Sequence, residues 1–141
     1  MSDWKFRLYI LSQVVATLLL LAFIVFWPGA WNTQRILGSC LLVIGVGLLS
    51  LARFQLGRSF AVTAQAKNLV THGLYSKIRN PVYVFGAVAM AGLFLIVRRP
   101  ALWVLFVALV VMQIVRARKE AAVLEAKFGE EYRIYRSHTW F

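Results

Sequence analysis

Acids are scarce in this chain of 141 residues: five Asp and Glu stand against 16 Lys and Arg, alongside two histidines and one cysteine. Each shortage excludes something. A single cysteine, Cys40, allows neither an internal disulfide nor a multi-cysteine metal site, so helix packing must hold the fold. His72, His138 and the few carboxylates show no metal-ligand spacing, and no metal site is expected. Only 15% of residues are charged, while 61% are hydrophobic and 14% aromatic, which excludes a disordered or nucleic-acid-binding tail. A soluble domain of this length cannot hide so much apolar surface from water. The bilayer is the expected solvent.

Uncharged stretches run from Leu8 to Gln34, Ile36 to Ala52, Asn80 to Val97 and Pro100 to Val115. A helix needs about 20 apolar residues, with a range of roughly 17 to 25, to cross the hydrocarbon layer. Four crossings fit, at about 8–27, 35–54, 81–97 and 100–120. The shorter ones are completed by arginines whose stems lie in the apolar layer while the guanidinium reaches the headgroups: Arg35 and Arg53 around the second, Arg98, Arg99 and Arg116 around the last. A hairpin that does not fully cross is an alternative for residues 80–115. Lys5 and Arg7 before an apolar run resemble a secretory leader, but the run is too long and Phe26-Trp27-Pro28 replaces a small-residue cleavage site, which predicts a retained helix.

With four crossings the two ends of the chain share a side. That side collects 13 bases, against three opposite (Arg35, Arg98 and Arg99), so the positive-inside rule puts both termini and the 55–80 loop in the cytoplasm of an inner-membrane protein. The net charge of +11 is thereby explained by topology and attraction to anionic headgroups, and nucleic acid is not implied. The expected architecture is a single all-α integral membrane domain over 1–141, with four transmembrane helices, a cytoplasmic loop before helix 3 and a C-terminal amphipathic segment at the interface. Within that segment, 121–136, Ala121, Leu124, Phe128, Tyr132 and Tyr135 recur three and four residues apart, opposite a charged face, with a break near Gly129.

Gly38 and Gly45 on the second helix, and Gly86, Ala89 and Gly92 on the third, form small-residue ridges that let helices approach closely. Such faces also permit a homodimer. The same topology brings the residues before the third helix next to those that follow the fourth. Gly73-Leu-Tyr-Ser-Lys-Ile-Arg-Asn-Pro-Val-Tyr83 thus meets Arg116 to Glu120. Pro81 suits the first helical turn and Asn80 the N-cap before it, which accounts for that pair but not for Tyr75, Arg79 and Tyr83 beside them. Arg116 and Glu120, four apart, share a helical face as an ordinary pair. Glu120 is also an acid where a cationic ligand from the cytosol would meet it.

At these residues the chain resembles the isoprenylcysteine carboxyl methyltransferase family, in the wider group that includes phospholipid N-methyltransferases. Two blocks carry the resemblance. Leu69-Val-Thr-His-Gly-Leu-Tyr-Ser-Lys-Ile-Arg-Asn-Pro-Val-Tyr83 is similar to the family's Leu-Val-x-x-Gly-x-Tyr-x-x-x-Arg-His-Pro-x-Tyr, and Glu120-x-x-x-Leu-x-x-x-Phe-Gly-Glu-Glu-Tyr-x-x-Tyr135 follows the hydrophobic hairpin. The resemblance implies methyl transfer from S-adenosylmethionine to an amphiphilic acceptor, lipid-like or prenylated, that arrives from the bilayer. It implies that Lys67, Asn68, Leu69, Val70, Tyr75, Asn80, Pro81, Val82, Tyr83 and Glu120 surround the cofactor and that Arg116 faces the acceptor. Asn80 replaces the family's more usual histidine, Ala121 a frequent second glutamate, and Leu74 a common proline; the end beyond Tyr135 lacks the family's proline.

Elementary chemistry agrees with this assignment. A carboxylate such as Glu120 offsets a sulfonium and an ammonium, tyrosines pack against adenine, and the cofactor's carboxylate suits Arg79 or the N–H groups opening the third helix. An acceptor carboxylate is already ionised at neutral pH and would be oriented by Arg116, whereas an amine needs a base. The chain offers few candidates: His72, grouped with the cofactor-side residues, could serve, although its place at a His-Gly step better suits a positional or solvent-exposed residue. Two other readings stay open: a membrane reductase using NADPH, and a non-enzymatic lipid-binding or scaffold bundle. Proton-driven transport is disfavoured because Asp3 and the four glutamates all lie outside the four apolar stretches.

Overall fold

The computed structural model describes residues 3–56 and 69–141. Among the described residues five α-helices follow in order: α1 (Asp3–Phe26), α2 (Thr33–Leu56), α3 (Pro81–Val97), α4 (Ala101–Phe128) and α5 (Glu130–Ser137), with a 3-10 turn at Gly73–Ser76. Among the described residues the only strand-like pairing is an isolated parallel bridge between Ile78 and Trp140. By length and composition α1 (from Arg7), α2 and α4 can each cross a membrane. The 17 residues of α3 make about 25 Å of helix, short of the usual hydrocarbon thickness, so three to four helices could span.

Successive helices run antiparallel. Helices α2 and α3 pack most closely, because glycine removes the side chains that would hold their backbones apart. A Cβ on Gly45 would sit 2.6 Å from the Ala89 backbone nitrogen, and one on Gly92 would sit 2.5 Å from that of Leu42. Leu42, Ala89, Ile96 and Ile24 of α1 form the buried cluster around this contact. In lipid, where apolar surface gives little drive for association, such close backbone approach supplies the dispersion contact that holds helices together. Gly86 differs: a Cβ there would meet only the Gln113 amide of α4, at 3.7 Å. Helix α4 instead packs on α3 through Phe94, Trp103 and Phe106, whose rings meet edge to face with centroids 5.5–6.4 Å apart.

Arg35 departs from expectation. Rather than reaching for headgroups it is only 3% exposed, and its guanidinium donates to the carbonyls of Gly29 (2.6 Å), Ile24 (2.7 Å) and Val25 (3.3 Å) while lying over the Trp31 ring. The last carbonyls of α1 have no partners within the helix and carry the negative end of its dipole, so they compete with lipid for this cation. Asn32 caps α2 next to it, its side-chain oxygen accepting from the Arg35 N–H at 2.9 Å. At the other end of the same helix pair the Tyr9 hydroxyl donates to the Ser50 carbonyl (3.3 Å) and the Ser50 hydroxyl to the Gln13 side chain (2.9 Å).

Helix α4 continues past residue 120 to Phe128 without interruption, because nothing between Arg116 and Phe128 breaks a helix; the first break is Gly129, at φ +54°. The predicted stripe from Ala121 to Tyr135 therefore spans the end of α4 and all but the last two residues of α5. It is turned toward protein: Tyr132 is 1% exposed.

Two neighbouring glycines separate packing from propensity. Gly45→Ala should destabilise the detergent-solubilised protein by about 1–3 kcal/mol, the usual range for overpacking. Gly47→Ala, where an added Cβ meets nothing within 4 Å, should be neutral or stabilising by up to about 1 kcal/mol. Thermal unfolding of the two variants in parallel checks this; equal effects would contradict the close-contact account.

Candidate functional site

At the end of the bundle where α1 and α3 begin and α2 ends, α4 rises past its neighbours and the polar residues collect. Glu120 of α4 is centred there. Its carboxylate accepts a 2.5 Å hydrogen bond from the Tyr83 hydroxyl, across from α3, and a 3.2 Å bond from Arg116 Nε, one turn earlier on its own helix. The Arg116 guanidinium also lies 5.9 Å from the centre of the Tyr83 ring. The Arg116–Glu120 pair alone is the i, i+4 arrangement worth about 0.3–0.5 kcal/mol. The Tyr83 bond makes it an interhelical junction, with the Glu120 side chain 28% exposed and that of Arg116 49%.

The segment before α3 is held against this junction from several directions. Gly73 opens the 3-10 turn at φ +61°, and any side chain there would collide with the Gln55 amide. Gln55 instead accepts from the Leu74 N–H (2.8 Å), tying the turn to the end of α2. The Tyr135 hydroxyl of α5 donates to the Tyr75 carbonyl at 2.7 Å. Tyr75 itself is 6% exposed, and its buried hydroxyl has no hydrogen-bond partner among the described residues. Orphaned buried hydroxyls are costly, so this one holds hydrogen-bonding capacity that a polar ligand would satisfy. Burial raises the Tyr75 pKa well above its usual value, and nearby Tyr135 and Glu120 raise it further.

Other residues singled out in the sequence distribute as follows. Lys67 and Asn68 lie outside the described residues. Leu69 and Val70 are half-buried and in no regular element. His72 is exposed and contributes its carbonyl, which accepts the Tyr75 N–H at 3.1 Å. Arg79 is half-buried and close enough to Tyr132 and Tyr135 to oppose part of the rise that burial gives the pKa of each, which sets it beside α5. Pro81 is buried at the start of α3, with Val82 and Tyr83 half-buried after it. Asn80 precedes α3 as expected, but its side chain makes no capping bond. Its backbone, at φ −125° and ψ 58°, lies outside the extended conformation usual for an N-cap, and its carbonyl accepts from the Tyr83 and Val84 N–H groups.

Sequence reasoning missed Gln55 and the chain's last residues. The Trp140 N–H donates to the Lys77 carbonyl, and the carbonyls of Trp140 and Phe141 accept from the Arg79 and Asn80 N–H groups, all at 2.8–2.9 Å. Backbone pairing leaves no side-chain signature; the one available signal was an aromatic pair, Trp140-Phe141, after a polar stretch.

The tyrosines tie this site to alkaline pH. Burial, reinforced by Tyr132 and opposed by Arg79, pushes Tyr135 up to about 12. Folding therefore favours the neutral phenol, and its contribution is intact below pH ~10, the value for a free phenol, then fades as pH rises toward about 12. A titration of tyrosinate absorbance should show a late-ionising class, with near-UV dichroism lost in the same window. Tyr135→Phe should shrink that class, and five tyrosines all titrating near pH 10 would contradict the burial described.

Comparison with known proteins adds to this geometry. No curated protein and no solved structure matches the chain significantly. A family model, described as phospholipid methyltransferase, matches residues 33–131, about seven-tenths of the chain, from the start of α2 through the Tyr83–Glu120 junction to the start of α5. The chain therefore belongs to the phospholipid methyltransferase family.

Proposed function

We propose that this membrane methyltransferase binds S-adenosylmethionine at the Tyr75–Tyr83–Glu120 cluster and methylates an amphiphilic acceptor supplied by the bilayer. The observation that carries the reading is the junction itself: a half-buried carboxylate beside an orphaned, nine-tenths buried phenol, inside the span that matches the family. These residues fit the cofactor chemically. Glu120 offsets positive charge, Tyr75 offers an unused hydroxyl to a polar edge, and the Asn80 amide, not used in capping, is available for another hydrogen bond. When bound, the cofactor supplies an electrophilic methyl group on a sulfonium.

The chain's own contribution is then positioning and exclusion of water. Arg116, with half its side chain exposed beside Glu120, orients an anionic acceptor group. Tyr75 and Tyr135 hold their protons too tightly to serve as bases at neutral pH, and the His72 side chain is exposed. With the Glu120 carboxylate already accepting from Tyr83 and Arg116, an acceptor carboxylate, ionised without assistance, suits the site better than an amine. The family description names phospholipids, in keeping with an acceptor drawn from the membrane. For topology, the excess of bases at the site end supports four crossings, with both termini and the site in the cytoplasm and the cofactor entering from there.

Calorimetric titration of the solubilised protein with S-adenosylmethionine should give saturable binding. Glu120→Gln should weaken it about tenfold or more and Tyr75→Phe about three- to tenfold, the scale of lost charge-assisted and neutral hydrogen bonds. No binding by the wild type would overturn the proposal. Incubation with methyl-labelled cofactor and a membrane-lipid extract should label an organic-phase product. Release of that label as volatile methanol by mild alkali marks a methyl ester; label that stays on a non-volatile product would contradict carboxylate methylation.

A further inference from the structure

Tyr75 and Asn80 sit on a segment with little structure of its own. Between residue 69 and the start of α3 it contains one 3-10 turn, whose internal backbone bonds are Tyr75 N–H to His72, Lys77 N–H to Leu74 and Ile78 N–H to Leu74. From the Lys77 carbonyl onward, support comes from elsewhere: that carbonyl and the N–H groups of Arg79 and Asn80 are all taken by Trp140 and Phe141. Trp140 is 65% exposed, so this pairing is a property of the backbone and not of a buried side chain. The tail is itself held, since the Thr139 hydroxyl donates to the Tyr135 carbonyl at 2.9 Å, and the Tyr135 hydroxyl returns to the Tyr75 carbonyl at 2.7 Å.

We propose that residues 139–141 are a positioning strap for the cofactor-binding segment: by pairing with the backbone of 77–80 they fix Asn80 and Tyr75 in register with Glu120. This rests on the binding site proposed above. The strap also accounts for the unconventional start of α3. With the Asn80 N–H satisfied by Phe141 and the carbonyl by α3, the backbone is held without help from the side chain, and the amide is left for a ligand. Trp140, Phe141 and Thr139 are thus positioning residues, acting through the segment they hold.

Trp140→Pro deletes the one N–H that donates to Lys77, whereas Trp140→Ala removes the ring and keeps the backbone bonds. In titrations with S-adenosylmethionine, Trp140→Pro should bind roughly three- to tenfold more weakly, and a chain ending at His138 more weakly still, while Trp140→Ala stays within about twofold of wild type. The thermal midpoint, set by the glycine-packed helices, should be nearly the same in all three. Hydrogen exchange reads the strap without any cofactor: the amides of Arg79 and Asn80 should exchange slowly in the wild type and Trp140→Ala, and quickly in Trp140→Pro and the shortened chain. Fast exchange in the wild type, or unchanged exchange in the shortened chain, overturns the strap. Loss of protection with no cofactor binding by any form would leave the strap standing and sink the function reading instead. Equal loss of binding in Trp140→Ala and Trp140→Pro would mean that the ring, not the backbone pairing, is what matters, and would also overturn the proposal.

Discussion

The backbone contact between α2 and α3 at Gly38, Gly45 and Gly92 is the constraint on which the other parts depend. Water drives apolar surfaces together, but lipid does not distinguish a leucine on a partner helix from one on a neighbouring acyl chain, so close approach of two backbones must supply the attraction. That approach also fixes register. Gln55 ends α2 and Asn80 precedes α3, so the axial position of one helix on the other decides whether Gln55 can reach the Leu74 N–H and seat the turn that carries Tyr75. A slip of one helical turn, about 5.4 Å, would break that bond.

Helix α4 completes the site from the other side, joined to α3 by two contacts of different character. Near the Arg98–Pro100 turn the contact is aromatic, among Phe94, Trp103 and Phe106; at the site end it is polar, from Tyr83 to Glu120. Between them Gly86 faces the Gln113 amide with no tight contact, so the pair is held at its ends. Helix α4 then runs on to Phe128, and the chain doubles back at Gly129 so that Tyr132, Tyr135 and the tail fold over the segment before α3. The acids that a net charge of +11 obscures are placed by this route: Glu120 at the junction, and Glu125 paired with Arg133 and Arg136 on the outer side.

Much of this could be read from residue spacing. Long uncharged stretches predicted apolar helices because charge is costly in hydrocarbon, and the small residues of α2 and α3 were legible because glycines repeated along a helical face rarely serve anything but close approach. The meeting of Tyr83 with Glu120 was legible from topology alone, since an antiparallel hairpin must bring its two ends together. Arg35 was not legible, because a flanking arginine looks the same whether it turns to headgroups or to the carbonyls that end α1. Asn80 misled for a related reason: it stands at the N-cap position its residue type indicates, but the Tyr83 N–H that its side chain would cap is taken by its own carbonyl. The tail itself pairs through groups that every residue carries, so composition could not mark it.

The central claim is that the cofactor sits where Tyr75, Tyr83 and Glu120 converge. Its most direct test is photochemical: irradiate the purified protein with methyl-labelled S-adenosylmethionine, digest it, and map the labelled peptides. Label should fall on the peptides carrying Tyr75, Tyr83 or Glu120 and should be suppressed by excess S-adenosylhomocysteine. Specific label confined to α1 or to the Arg98–Pro100 turn would contradict the account.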